Sequence, residues 1–197
     1  MTGAELAFGQ PLAGRRVALR PLDRRRLAEL HALLGAGDPR AWPLRGALPS
    51  LDELEEQLWG ASRVQYALVA RGDDRTVGLV QGLDEDLRSG TVAVGIAVGE
   101  ELWRAGWPLE GLVLFLNLLI AGHGYRKLTL EVPAHGVDRF VGSSHRWLED
   151  EGHLAAHAVT EHGVEDVAFF SLFARDWDRD LALQVTGNAR AGAGGTS

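Results

Sequence analysis

The stretch Val94–Val132 constrains the fold of this chain more than any other part of its sequence. It reads as a strand, a short loop containing glycine, a helix and a second strand, with no spare residues between them. The helix is apolar on nearly every side, which predicts that it is buried. A strand, helix and strand in this order typically cross over between parallel neighbours of one sheet. The chain is therefore predicted to fold around a buried crossover helix beside a partly parallel sheet.

Strands and helices alternate on both sides of this unit. Ser50 begins one helix, because Glu53 lies three residues further on and the two form a capping box. The other predicted elements are the strand Arg16–Leu22, a helix to Leu34, the strands Val64–Arg71, Thr76–Gly82 and Thr91–Val98, the helix Leu109–Ala121, the strand Arg126–Val132, the helix Phe140–Glu151, and the strands His153–Thr160 and Asp166–Arg175. This order predicts a single α+β (α/β-like) domain, with one mixed sheet and helices on its faces.

The ends of the chain differ from this pattern. Residues 1–14 are predicted to form an N-terminal arm, residues 15–180 the domain, and the small, polar, glycine-rich residues 186–197 a disordered tail. The first residues lack the basic start and apolar core of a signal peptide. The longest apolar stretch, Gly111–Gly122, is shorter than the roughly 18 residues that a membrane span needs. We therefore expect a cytoplasmic protein with no membrane partner.

Composition excludes several classes of function. The chain has 20 Lys and Arg against 27 Asp and Glu, a net charge of −7, which argues against a nucleic-acid partner. It has no cysteine, so it has neither disulfides nor a thiolate nucleophile, and it lacks a nucleophile elbow and a Walker loop. His153 and His157 share a face, but the pattern supplies no carboxylate beside them, so no metal site is predicted.

The loop before the buried helix carries the most informative motif. Backbone N–H groups at a helix N-terminus favour an anion, although an ordinary connection would look the same. The loop reads Trp103-Arg-Ala-Gly-Trp-Pro108, and the helix then continues Glu110-Gly-Leu112. Downstream follow Val141-Gly-Ser-Ser144 and the strand Asp166–Trp177. Together these pieces resemble the acyl-CoA-binding core of the GNAT superfamily of N-acetyltransferases, over residues 15 to 177, and in particular a branch similar to ribosomal-protein N-terminal acetyltransferases.

The resemblance implies a GNAT-type domain with a mixed, mostly antiparallel central sheet and helices on both faces. It also implies transfer of an acetyl group from acetyl-CoA to a primary amine of a small metabolite or a peptide N-terminus, by direct attack. A backbone N–H on the strand before the loop would polarise the acetyl carbonyl, where a splay between parallel strands admits the pantetheine arm. The residues expected to contact acetyl-CoA are Ile96, Ala97, Val98, Trp103, Arg104, Ala105, Gly106, Trp107, Pro108 and Ser144.

Three further residues are candidates for proton transfer. A base must take a proton from the amine, and we expect His157 or Asp166 to serve, although a surface imidazole and a turn residue explain them as well. Ser144 matches the family's thiolate-protonating tyrosine in position, and it is equally suited to cap a helix. The residues expected to line the acceptor site are Trp42, Arg45 and Trp59.

Several departures from the family's pattern support an alternative. Pro108 stands where the family has Gly or Ala, and proline has no N–H to donate to a pyrophosphate. Losing one such bond costs about 1.5–3 kcal/mol, or roughly ten- to a hundredfold in affinity. Val141 replaces the family's Asn, and the expected tyrosine is absent. A catalytically weakened binding or assembly module therefore stays open, as does a homodimer if Phe169, Phe170 or Trp177 is exposed.

Overall fold

A seven-stranded sheet forms the centre of the computed structural model, which describes residues 6–35, 49–99, 102, 106–138, 147–160 and 162–188. Its strands are β3 (Val17–Arg20), β4 (Val64–Ala70), β5 (Thr76–Asp86), β6 (Thr91–Val98), β7 (Lys127–Pro133), β8 (Leu148–Thr160) and β9 (Gly163–Phe173). They lie in the order β3-β4-β5-β6-β7-β9-β8. Only β6 and β7 are parallel, and every other neighbouring pair in this sheet is antiparallel. The predicted mixed, mostly antiparallel sheet is confirmed.

Helices cover both faces of the sheet, as predicted. On one face lie α1 (Arg24–Gly35) and α2 (Leu51–Ala61), whose leucines pack on Leu79 of β5. On the other face lies α3 (Trp107–Asn117), which ends in a wider π-helical turn over Leu118–Gly122. A short helix, α4 (Arg179–Val185), packs against α3. None of the helices in the described part of the chain is long and apolar enough to span a membrane.

Local signals set the helix boundaries. The side chain of Ser50 accepts a hydrogen bond from the Glu53 N–H, and the Glu53 carboxylate accepts one from the Ser50 N–H at 2.8 Å, so the predicted capping box is confirmed. The start of α3 is set by Gly106, which has a left-handed φ of 73°, and by Pro108 in the first turn. Proline is suited to this place because the first N–H groups of a helix have no partner within it.

The first turn of α3 is tied to the beginning of β3 by a buried carboxylate. Oε1 of Glu110 accepts hydrogen bonds from the N–H groups of Arg16 at 2.8 Å and Val17 at 3.4 Å, and Oε2 accepts one from Nε of Arg16 at 3.2 Å. A Cβ on Gly14 would lie 2.2 Å from Oε1 of Glu110, so only glycine admits this approach. These contacts hold the N-terminus of α3 against the edge strand β3.

The second half of the chain departs from one predicted element. The predicted helix Phe140–Glu151 is wrong over residues 148–151, which belong to β8, while residues 139–146 lie outside the described residues. Leu148 pairs with Leu172 and Glu149 with Ser171 of β9, so the partner strand supplies the backbone hydrogen bonds. The acidic side chains are exposed on this edge strand, and exposed acids are also typical of a helix surface. The local sequence of residues 148–151 is therefore compatible with both a helix and an edge strand.

The folded part of the chain extends beyond the predicted domain limits of 15 and 180. Leu12 and Ala13 are buried beside a small hairpin of β1 (Leu6–Ala7) and β2 (Gln10–Pro11). At the other end Thr186 is buried, and the side chain of Asn188 donates to the carbonyl of Ala13 at 2.8 Å. Residues 1–5 and 189–197 lie outside the described residues. The division into an arm, a domain and a tail stays a prediction for them.

Candidate active site

The parallel strands β6 and β7 separate partway along their length. They pair from Thr91 and Lys127 as far as Ala93 and Thr129. Beyond Ala93, β6 continues to Val98 paired only with β5, and β7 continues to Pro133 paired with β9. The facing backbone edges of the two strands are therefore left outside the ladder. This is the splay that the resemblance implies, and the half-buried residues Ile96, Ala97 and Val98 form one side of it.

A small apolar cleft lies between α3 and the strands β7, β9 and β8. Its walls come from α3, from β7 and from the outer strands: Leu109, Leu112, Val113, Leu116, Leu130, Trp147, Leu148 and Leu172. An apolar wall of this kind suits the aliphatic part of a ligand rather than its charged end. The splay therefore offers unpaired backbone groups, and the apolar surface begins at Leu130 of β7, the strand next to β6.

The N-terminus of α3 offers the charged end of such a site. Gly106 immediately precedes the helix, and the guanidinium of Arg16 lies 3.7 Å from the position that a Cβ on Gly106 would take. Trp107 is half-buried and Pro108 is buried. Helix N-termini attract anions, and Arg16, which the sequence pattern did not single out, brings a guanidinium that is ion-paired with Glu110 of the same first turn. Trp103, Arg104 and Ala105 lie outside the described residues.

The structure places two of the three predicted proton-transfer residues, His157 and Asp166, on the hairpin of β8 and β9. His157 lies in an exposed bulge of β8, between the pairs Leu154–Val167 and Ala158–Glu165. The Asp166 carboxylate accepts a hydrogen bond from the Ala156 N–H at 2.8 Å, which holds that bulge. β7 lies between this hairpin and β6, so the two side chains are not brought beside Ile96. Their role as bases stays a prediction.

The other predicted site residues are distributed differently. Trp42, Arg45 and Ser144 lie outside the described residues. Trp59 lies on α2 and is 51% exposed, so it is free to contact a ligand on that side of the sheet.

Phe170, one of the aromatic residues that would suggest a dimer if exposed, is buried. Within the described ranges, no group of three or more His, Asp or Glu side chains is arranged to hold a metal ion.

Neither tyrosine takes the place of the missing family residue. Tyr125 precedes β7, at the paired end of the splay, and its hydroxyl donates to Glu85. Burial, and then the Glu85 carboxylate, raise the pKa of Tyr125 well above its usual range. Tyr66 lies on β4 with its ring edge toward Phe115 of α3, and burial raises the pKa of its hydroxyl. Both hydroxyls are therefore poor acids in the places they occupy.

A cluster at the C-terminal end of β7 was missed by the sequence patterns. The Glu165 carboxylate accepts hydrogen bonds from Nδ1 of His135 at 2.7 Å and from the hydroxyl of Thr160. The ring of His162 lies 4.5 Å from that of His135, centroid to centroid. The Thr160 hydroxyl first, and then His135, hold the pKa of Glu165 below its usual value of 4.5. These residues tie the end of β7 to the β8–β9 hairpin.

This cluster predicts a pH dependence of stability. Because the folded-state pKa of Glu165 is lowered, its contribution is complete above its unfolded pKa and is lost as the pH falls through the folded value. We expect Glu165→Gln to lower the melting temperature at pH 7 and the difference from the parent to shrink below a pH of about 4.5. Thermal unfolding of both proteins at stepped pH measures this. A difference that does not shrink below that pH would contradict it.

The comparisons with known proteins concern the fold. No protein-family model and no curated protein sequence matches the chain. A GCN5-related N-acetyltransferase from Brucella melitensis matches with a TM-score of 0.67 at 22% identity, covering 89% of this chain and 83% of that one. A probable GNAT-family acetyltransferase from Chromobacterium violaceum matches with a TM-score of 0.66 at 20% identity, covering 90% and 95%.

A third structure is a chimera of the spermidine N-acetyltransferase SpeG from Vibrio cholerae and hSSAT. It matches with a TM-score of 0.67 at 19% identity, covering 82% of this chain and 97% of that one. These similarities confirm the predicted GNAT-type domain as a fold. The narrower resemblance to ribosomal-protein acetyltransferases stays a prediction, because none of these three structures is described as one.

Proposed function

We propose that this chain, which has the GNAT fold, is an acetyl-CoA-dependent N-acetyltransferase. The observation that carries the proposal is the separation of β6 from β7 beyond Ala93, next to the N-terminus of α3. Unpaired backbone edges, an apolar wall and a helix N-terminus with Arg16 beside it fit the three parts of acyl-CoA: its amide-containing arm, its alkyl segments and its pyrophosphate. In GNAT-fold enzymes bound acetyl-CoA supplies an activated acetyl thioester.

The chain's own groups would then act on the reaction in two ways. A backbone N–H in Ile96–Val98, held by the pairing of β6 with β5, would donate to the acetyl oxygen as negative charge develops on it. The amine nitrogen bonds to the acetyl carbon, the carbon–sulfur bond breaks, and one proton of the amine leaves. We propose His157 or Asp166 as its acceptor, through water because β7 separates them from Ile96, and Ser144 as the donor that returns a proton to the thiolate.

The acceptor in this proposal is a primary amine of a small metabolite or a peptide N-terminus. SpeG, which shares the fold, is a spermidine N-acetyltransferase, so an amine acceptor is consistent with the comparison. Trp42, Arg45 and Trp59 are proposed to line the acceptor site. Trp59 supports this because it is exposed on α2, on the face of the sheet opposite α3.

One observation favours a second candidate, a GNAT-fold module that binds acyl-CoA weakly or not at all. Pro108 lies in the first turn of α3, where it removes a donor from the helix N-terminus. The guanidinium of Arg16 lies beside Gly106, but its charge is paired with the Glu110 carboxylate, so it offsets this loss only in part. Measuring acetyl-CoA affinity separates the two candidates.

We expect the parent protein to bind acetyl-CoA in isothermal titration calorimetry and Pro108→Gly to bind it about tenfold more tightly or better, because one donor is restored. Pro21→Gly is the matched control, since Pro21 is exposed between β3 and α1, and its affinity should equal that of the parent. If neither the parent nor Pro108→Gly binds below millimolar concentration, the enzyme proposal is abandoned. If both bind equally, the lost donor is not what sets the affinity.

A further inference from the structure

Two glutamines and a glycine lie in one row across the middle of the sheet. Gln65 of β4 is directly opposite Gln81 of β5, and Gln81 is directly opposite Gly95 of β6. Side chains two residues apart on a strand share a face, and Leu79 packs under α1 and α2, so Gln81 lies on that same face. Gly95 is two residues beyond Ala93, the last residue of β6 that pairs with β7. The row therefore runs from β4 to the beginning of the splay.

The row is polar where its surroundings are apolar. The leucines of α1 and α2 cover Leu79, one step along the same face. Gln65 is only 5% exposed, and its Oε1 accepts a hydrogen bond from Nε2 of Gln81 at 3.0 Å. Nε2 of Gln65 is itself buried and has no hydrogen-bond partner within the described part of the chain. Buried polar atoms nearly always have a partner, so this nitrogen requires an explanation.

Gly95 lies at the end of the row that adjoins the splay, beneath the end of the Leu83 side chain. A Cβ at this position would meet only the end of the Leu83 side chain, at 3.2 Å. Because Gly95 has no side chain, the atom found nearest to its Cβ position, on the face that Gln81 and Gln65 share, is the movable end of Leu83. An amine that attacks a carbonyl held against Ile96 from this face would pass over Gly95 and alongside Gln81. The unpartnered nitrogen of Gln65 lies in the same row, two strands from Gly95, and is buried beneath that face.

We propose that the Gln65–Gln81–Gly95 row is the floor of the acceptor pocket, and that Nε2 of Gln65 donates a hydrogen bond to an oxygen of the acceptor. This inference rests on the proposed acetyltransferase function. A carboxamide nitrogen can only donate, so it selects an amine that also carries a hydrogen-bond-accepting oxygen, as peptides and amino-acid amides do. A polyamine, whose protonated nitrogens are donors alone, leaves Gln65 unpaired. The acceptor class is therefore an oxygen-bearing amine rather than a polyamine.

Steady-state kinetics with two acceptors tests this assignment. Trialaninamide carries carbonyl oxygens, and spermidine carries none. We expect the parent to prefer trialaninamide, and Gln65→Leu to lower its kcat/KM for trialaninamide about tenfold or more through KM, while kcat/KM for spermidine changes less than twofold. Gln57→Leu is the control, because Gln57 is exposed on α2. Equal effects on both acceptors, no effect on either, or a parent that prefers spermidine would overturn the proposal.

Two further measurements separate failure of this inference from failure of the proposed function. Acetyl-CoA affinity of Gln65→Leu, measured by calorimetry, should equal that of the parent, because the row lies on the other face from α3. If the parent binds no acetyl-CoA, the proposed function fails, and direct titration of trialaninamide into the parent and Gln65→Leu still tests the row. Binding that Gln65→Leu weakens about tenfold supports it, and equal binding or none overturns it.

Discussion

Replacing Glu110 by alanine will lower the free energy of unfolding by about 3 kcal/mol, one of the largest effects expected from a single polar side chain in this protein. The side chain is 2% exposed, and its Oε1 accepts hydrogen bonds from the backbone N–H groups of Arg16 and Val17. Val17 is fully buried, so water cannot replace the lost hydrogen bond to its N–H after Glu110 is truncated. Urea-induced unfolding, followed by circular dichroism, measures the loss.

Glu110→Gln separates the backbone contacts from the ion pair. Glutamine retains an oxygen for the N–H groups of Arg16 and Val17, but it loses the charge and puts an NH2 donor where Oε2 accepts from Nε of Arg16. Because Glu110 is buried, we expect this variant to lose about 1–2 kcal/mol, less than Glu110→Ala. Glu55→Ala, which removes an exposed partner of Arg24, should change stability by less than about 0.5 kcal/mol. Equal losses for the two Glu110 variants would contradict this division.

Elements whose signals are local could be predicted from the sequence. The capping box of Ser50 and Glu53, the all-apolar helix α3 and the strands β4 to β7 each depend on residues close together in the chain. The parallel pairing of β6 with β7 follows from the handed crossover through α3. The edge strand β8 could not be predicted in full, because its first residues are held by pairing with β9 rather than by their own periodicity.

The candidate site also has one part that the local sequence predicts and one part that depends on contacts between distant residues. The loop motif and the strand before it identified Ile96–Val98 and the start of α3, since these residues are consecutive. The contacts of Glu110 with Arg16, of Glu165 with His135 and of Gln81 with Gln65 join residues 94, 30 and 16 positions apart. No short-range pattern connects such residues. The alternating strand that contains Arg16 showed a basic residue, but only the fold places its guanidinium beside Gly106.

Gly78→Ala is expected to weaken both the fold and acetyl-CoA binding. Gly78 of β5 lies opposite Val98, and a Cβ there would lie 2.3 Å from the Ala97 carbonyl oxygen and 2.5 Å from Cγ1 of Val98. The carbonyl belongs to the backbone and cannot rotate away, so β6 itself must shift. Such overpacking costs about 1–3 kcal/mol. A shift of β6 at Ala97 also displaces the N–H groups proposed to face the thioester, so acetyl-CoA affinity should fall about tenfold or more.

Gly72→Ala supplies the control for this experiment, because a Cβ on Gly72, in the turn between β4 and β5, would meet no atom within 4 Å. It should leave acetyl-CoA affinity unchanged and stability within about 0.5 kcal/mol of the parent. Urea-induced unfolding compares the stability of the two variants, and calorimetry compares their affinity for acetyl-CoA. If Gly78→Ala loses stability but binds acetyl-CoA as the parent does, the end of β6 bears the strain without contacting the ligand, and the acyl site must lie elsewhere than Ile96–Val98.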